Sequence, residues 1–133
     1  MLMKDAKKGP SEEIRRLAKA EGVDAGALSA LIAKGLVAVP RNTGRSFTGR
    51  AIGKLVSTKV NANVGTSKDY DDCGDEAKKA KVAVQYGADA VMDLSTGNDR
   101  DTLRKMLAKE LEVPLGTVPI YHAARKRRNA VDM

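Results

Sequence analysis

The chain of 133 residues is long enough for one ordinary domain, or for a small unit followed by part of a larger one. With 42% apolar and 31% charged residues it reads as globular rather than disordered; with 3% aromatic residues and no Trp, its core must be built from Ala, Val, Leu, Ile and Met, which argues against a small all-β sandwich. A net charge of +7 raises nucleic acid and anionic small molecules as partners, whereas no apolar run approaches the ~20 residues of a membrane span.

The opening residues, Met1 to Asp5, carry a Lys with no apolar stretch after it and do not read as a signal peptide. Residues 11–21 predict a helix. Pro10 and Ser11 signal its start, Glu12 and Glu13 suit the dipole of its first turn, Ile14, Leu17 and Ala18 form an apolar stripe, and Gly22 stops it. Asp24 caps a second helix through Lys34, with Leu28, Leu31 and Ile32 on one face and Gly35 at its end. The two helices form an αα-hairpin across Gly22-Val23. A short apolar run, Leu36 to Val39, stops at Pro40. Residues 41–53 read as a loop, with Asn42, Thr43, Gly44, Ser46, Thr48, Gly49 and Gly53 interleaved with arginine. This loop closes an N-terminal helical subdomain, residues 1–53, and precedes a second region, residues 54–133.

The pattern then changes. Leu55 to Val64 is rich in β-branched residues and reads as a strand. A helix follows over about Asp75 to Tyr86, with Ala77, Ala80 and Val84 facing inward and Gly87 as its stop. Ala90 to Leu94 is a buried-strand run. A further helix spans about Asp101 to Leu111, with Leu103, Met106, Leu107 and Leu111 on one stripe. Leu115 to Ile120 is a third strand, and the tail from His122 to Asn129 is helical and basic. Strands alternating with helices imply a parallel sheet with right-handed crossovers. The fold class is therefore α/β: an αα-hairpin followed by βαβαβ, either a small open sheet or three of the eight units of a (β/α)8 barrel.

In parallel α/β folds chemistry collects at the C-terminal strand ends. Here those ends carry Asn61 to Ser67, Met92 to Asn98 and Pro119 to His122. The turns Gly65-Thr66-Ser67 and Ser95-Thr96-Gly97-Asn98 suit backbone N–H donation to an anion at a helix start. Equally, their Ser, Thr and Asn suit plain capping, and the two readings stand level. Lys59 and Asp93 suit either an acid/base pair or a structural ion pair. Gly49, Gly53 and Lys54 invite a phosphate-loop reading that fails, because Leu55 stands where Ser or Thr is required. The single cysteine, Cys73, excludes an internal disulfide, fits a reducing cytoplasm, and sits in an acidic segment with no neighbour to lower its pKa, so it reads as inert.

Five strings in fixed order carry a resemblance: Val39-Pro40-Arg41-Asn42, Ala51-Ile52-Gly53-Lys54, Thr58 to Ser67, Val91 to Gly97, and Gly116 to Tyr121. Together they resemble the N-terminal portion of the phosphomethylpyrimidine synthase (ThiC) family, from about Asp5 to Tyr121. The resemblance implies a (β/α)8 barrel, here incomplete, and the radical rearrangement of aminoimidazole ribotide to hydroxymethylpyrimidine phosphate in thiamine biosynthesis. It implies S-adenosylmethionine, a [4Fe–4S] cluster and a zinc-type metal ion, all held by residues downstream of this chain, which alone would bind none of them. It places substrate contacts at Asn63, Met92 and Tyr121 and names no catalytic residue here. The family's C-x-x-C-x-x-x-x-C cluster motif is absent from these residues. His122 stands where the family more often has Gln, and it is not read as a metal ligand. Residues 125–133 depart from the family pattern, so the chain reads as shortened and then cut.

Two functions follow. The first is an inactive fragment of the synthase, cytoplasmic, retaining part of the ribotide site, and self-associating or pairing with a missing C-terminal part because its sheet edges lack cover. The second is a truncated paralogue acting as a basic binding module for RNA or protein through Arg125 to Arg128. No stacking aromatics accompany that run, which favours a solvated helix end over nucleic acid.

Overall fold

The computed structural model describes residues 2–41, 44, 47 and 49–126. The chain divides into two compact units, Met1–Lys59 and Val60–Met133.

The first unit holds helices α1 (Leu2–Ala6), α2 (Glu12–Glu21) and α3 (Ala25–Ala33) and strands β1 (Val37–Ala38) and β2 (Ile52–Gly53). Ser11 is extended and its hydroxyl accepts from the Ile14 N–H at 3.4 Å. Gly22, at φ 66°, supplies the left-handed residue that closes α2. Asp24 Oδ1 accepts from the Ala27 N–H at 2.8 Å and starts α3. The expected stripe of α2 is buried, as are Leu28 and Ile32 of α3, and these pack with Val37 and Ala51 into one core. Helix α1 was not expected, because five residues are too short for a periodicity to show. It is tied down by the buried Ser29 hydroxyl, which donates to the Ala6 carbonyl at 3.0 Å.

Two expectations for this part of the chain are corrected. The loop predicted through Gly53 ends instead in β2, which pairs antiparallel with β1 in the register Val37↔Gly53 and Ala38↔Ile52. Gly53, at φ 143°, brings its Cα so close to β1 that an added Cβ would lie 2.2 Å from the Leu36 carbonyl oxygen. The strand predicted from Leu55 begins only at Asn61. Leu55 has a left-handed φ of 66° that breaks the extended run. Ser57 and Lys59 then bond to Glu21 of α2 rather than to a ladder, the Ser57 N–H and hydroxyl each at 2.9 Å from Oε2. The Lys59 ammonium lies 2.9 Å from Glu21 Oε1, with both side chains largely buried. Asn42, Thr43, Arg45, Ser46 and Thr48 of the predicted loop lie outside the described residues.

The second unit is β3 (Asn61–Val64), α4 (Cys73–Gln85), β4 (Ala90–Asp93), α5 (Arg100–Glu110), β5 (Leu115–Thr117) and α6 (Pro119–Lys126). The strands form one parallel sheet in the order β3-β4-β5. The α/β class and the βαβαβ order are as predicted. Val64 and Val91 pack against Ala77 and Ala80 of α4 and Leu103 and Leu107 of α5, with Leu111 and Val113 completing the core. Each fully buried Val or Leu side chain among these contributes about 1.5–3 kcal/mol. Asp72 and Asp99 cap the two helices through the N–H groups of Asp75 and Thr102.

The third strand is shorter than predicted. It stops at Thr117, and Pro119 opens α6 instead of ending β5. A proline has no N–H to lose at the first helical position, and it holds the residue before it extended. Ile120 and Tyr121 are therefore helical. The predicted tail helix runs to Lys126; Arg127, Arg128 and Asn129 lie outside the described residues. No helix among the described residues is long and apolar enough to cross a membrane.

Candidate functional site

The β3–β4 ladder pairs Asn63 with Met92, and the β4–β5 ladder pairs Met92 with Gly116. The three residues make one row across the sheet. Strand side chains alternate between faces. Because Val64 and Val91 enter the helix-side core, Asn63 and Met92 stand on the opposite face. Asn63 is exposed and Met92 half-buried. Asn61, two places back on the same face, donates from Nδ2 to Asn63 Oδ1 at 3.0 Å and orients that amide. Gly116 leaves the space the Met92 thioether occupies, since an added Cβ would lie 2.8 Å from both Sδ and Cε. The row thus offers an amide, able to donate and accept, beside a soft apolar surface.

Of the three site residues taken from the sequence, the register brings Asn63 and Met92 together. Tyr121 is not on a strand end. It lies in the first turn of α6, exposed, with its N–H donating to the Val118 carbonyl at 3.1 Å.

Behind the row, the strand ends are fixed by a buried polar network. Asp93 is fully buried. Its Oδ1 accepts from the Ser95 N–H at 2.9 Å, and its Oδ2 from Arg104 Nε of α5 at 2.9 Å. The Ser95 hydroxyl accepts from the Thr66 N–H at 3.1 Å. Glu76 of α4 accepts from the Gly65 N–H at 2.8 Å, and Asp71 from the Asn98 N–H at 2.9 Å. The N–H groups of Thr96 and Gly97 both donate to the Thr66 carbonyl, and that of Ser67 to Tyr70. This decides between the two readings of the small-residue turns. Their N–H groups are taken by the protein's own carboxylates, hydroxyls and carbonyls, so the turns do not offer an anion cradle. Each of Lys59 and Asp93 has a structural ion-pair partner within its own unit: Lys59 pairs with Glu21, and Asp93 with Arg104.

Arg104, Glu76 and Asp71 were not singled out from the sequence. Each acts over a separation of 11 or more positions, and no local pattern marks such a partner. The Thr66 hydroxyl is the one buried side-chain polar atom without a hydrogen-bond partner among the described residues.

Burial, together with the charges of Asp99 and Asp71, pushes the Cys73 thiol above its ordinary value, and its Sγ lies 3.3 Å from the Asp99 carbonyl oxygen. That suits a quiet thiol at the start of α4 rather than a nucleophile or a ligand. At the same helix start the Tyr70 hydroxyl bonds Asp75 at 2.5 Å, which raises the phenol's pKa, while the Lys78 ammonium and that phenol lower the Asp75 carboxyl. Lys79 stands 5.1 Å from the Tyr70 ring centre. Among the described residues no group of three His, Cys, Asp or Glu is placed to hold a metal ion.

Three parallel strands alternating with helices, with Asn61 and Asn63 on the sheet face opposite the helix-side core, make this an α/β chain; in such folds small ligands collect at the strand ends. The sequence profile of the radical SAM ThiC family matches residues 1–133, and the chain belongs to that family. It is 53% identical over 133 residues to phosphomethylpyrimidine synthase 1 of Methanosarcina mazei, covering 99% of this chain and 31% of that protein. To the phosphomethylpyrimidine synthase of Archaeoglobus fulgidus it is 51% identical over 134 residues, 99% of this chain and 32% of the relative. To that of Pyrococcus abyssi it is 48% identical over 126 residues, 93% of this chain and 29% of the relative. The chain thus spans about a third of the length of the curated relatives it matches.

Proposed function

We propose that this chain supplies one part of the substrate pocket of a phosphomethylpyrimidine synthase, and that its three βα units are three of the eight in a (β/α)8 barrel. The open sheet face is then the barrel's inner face, and aminoimidazole ribotide is the ligand. The observation that carries this reading is the registered row Asn63, Met92, Gly116. In it the Asn63 amide exchanges hydrogen bonds with imidazole or ribose groups. Met92 packs against the ring, and Tyr121 contributes its hydroxyl from α6.

The radical chemistry belongs to an iron–sulfur cluster with S-adenosylmethionine. Such a cluster is held by several cysteine thiolates. The residues present do not fit it, because Cys73 is the single cysteine in the sequence. What these residues do is bind and orient; on their own they are catalytically silent. The sheet edges at β3 and β5 are covered by further polypeptide or by a second copy.

Isothermal titration of the folded chain with aminoimidazole ribotide tests the reading. Heat that saturates, and that falls away in Asn63→Ala, is expected. A folded sample giving no heat at millimolar ribotide would remove it.

A further inference from the structure

We propose that Ser95 is a positioning residue: with Asp93 and Arg104 behind it, its hydroxyl locks the end of β3 to the end of β4 and so sets the geometry of the Asn63–Met92 pair. The inference rests on the functional reading above for its ligand, and on geometry alone for the lock.

The regular ladder ends at Val64↔Asp93. Beyond it the two chains stay joined. The Leu94 N–H donates to the Val64 carbonyl at 2.8 Å, and the Thr66 N–H then donates to the Ser95 hydroxyl at 3.1 Å. The Thr96 N–H returns to the Thr66 carbonyl at 2.8 Å. A side-chain oxygen thus takes the place of a ladder carbonyl. Its own position is fixed from behind, because the Ser95 N–H is held by Asp93 and Asp93 is held by Arg104 of α5. The close approach is built in at Gly65, where an added Cβ would lie 2.6 Å from the Ser95 nitrogen.

Asn63 lies two residues before Gly65, and Met92 directly precedes Asp93. A shift of either strand end therefore moves one member of the pair against the other. A binding row needs its members held to within about 0.5 Å, which is the work of supporting hydrogen bonds. Ser95 is 1% exposed, so it acts through the strands rather than by touching the ligand.

The test compares Ser95→Ala with Val113→Ala in the full chain. Val113 is 1% exposed in the helix-side core, so its truncation lowers stability without touching the lock. In the ligand-free protein, S95A is expected to shift the Asn63 side-chain amide and Met92 methyl resonances and V113A to leave them in place. Ribotide affinity is expected to fall about tenfold in S95A and to hold in V113A. S95A matching V113A in both readouts overturns the proposal. Wild-type hydrogen exchange keeps it open to refutation if S95A does not fold: the Thr66 amide must be protected like the amides of β3, and exchange at the rate of an open turn overturns it. If wild-type protein binds no ribotide, the functional reading fails, and the resonance comparison still decides the lock.

Discussion

Asn63 and Met92 stand opposite each other across the parallel β3–β4 ladder, on the sheet face away from α4 and α5. One is a polar amide and the other a thioether laid over Gly116. Nothing in the packing of the helix-side core requires either residue type there. The row is therefore where changes should alter binding more than folding.

Gly116→Ala puts that to a direct test. The new Cβ meets Met92 Sδ and Cε at 2.8 Å, and those atoms end a flexible side chain. The thioether swings aside at a cost of about 1 kcal/mol of stability. On the proposed function, ribotide affinity measured by titration is expected to fall about tenfold as the Met92 surface leaves its place beside Asn63.

Gly53→Ala should behave in the opposite way. Its Cβ would meet the Leu36 carbonyl oxygen at 2.2 Å, a backbone atom with no freedom to withdraw, and φ is 143°. A loss of about 2–3 kcal/mol is expected in the unfolding of the first unit, read by denaturant titration.

Leu107→Ala removes a fully buried side chain from the core that joins α5 to the sheet. The expected cost is about 2–5 kcal/mol by thermal or denaturant unfolding, with the larger values if the cavity does not collapse.

The Glu21–Lys59 pair makes the first unit acid-sensitive. Burial works against the Glu21 charge, but hydrogen bonds from the Lys59 ammonium and from the Ser57 N–H and hydroxyl outweigh it and hold the carboxyl below the ordinary glutamate range. A carboxyl depressed on folding stabilises above its unfolded pKa, about 4.3, and that contribution is lost as pH falls through the lower native value. Glu21→Gln should cost about 1–2 kcal/mol at neutral pH. It should also flatten the stability profile below about pH 4.3, measured by unfolding across pH.

The helices of both units were legible because their caps and stripes are local: Ser11 and Asp24 start α2 and α3, and Leu103 and Leu107 lie on one stripe of α5. The parallel order followed from the alternation of elements. Strand β2 was not legible, since its partner lies across a Gly- and Arg-rich loop and its key residue, Gly53, reads as a turn former. The end of β5 is not legible in the sequence, because Ile120 and Tyr121 continue a β-like composition past Pro119, which opens a helix. At the site, Asn63 and Met92 could be named from family strings, and only the register showed them to be partners. The network that holds them was invisible, because Asp93, Arg104, Ser95 and Thr66 meet only in the folded chain.

On the proposed function the Asn63–Met92 row receives aminoimidazole ribotide, and an NMR titration of the folded chain, following the Asn63 side-chain amide and the Met92 methyl, tests this. Both signals are expected to shift together and saturate with one dissociation constant, while the methyls of Leu103 and Leu107 in the helix-side core stay in place. Ribotide at millimolar concentration that leaves both signals unmoved, or that shifts the core methyls instead, would contradict it.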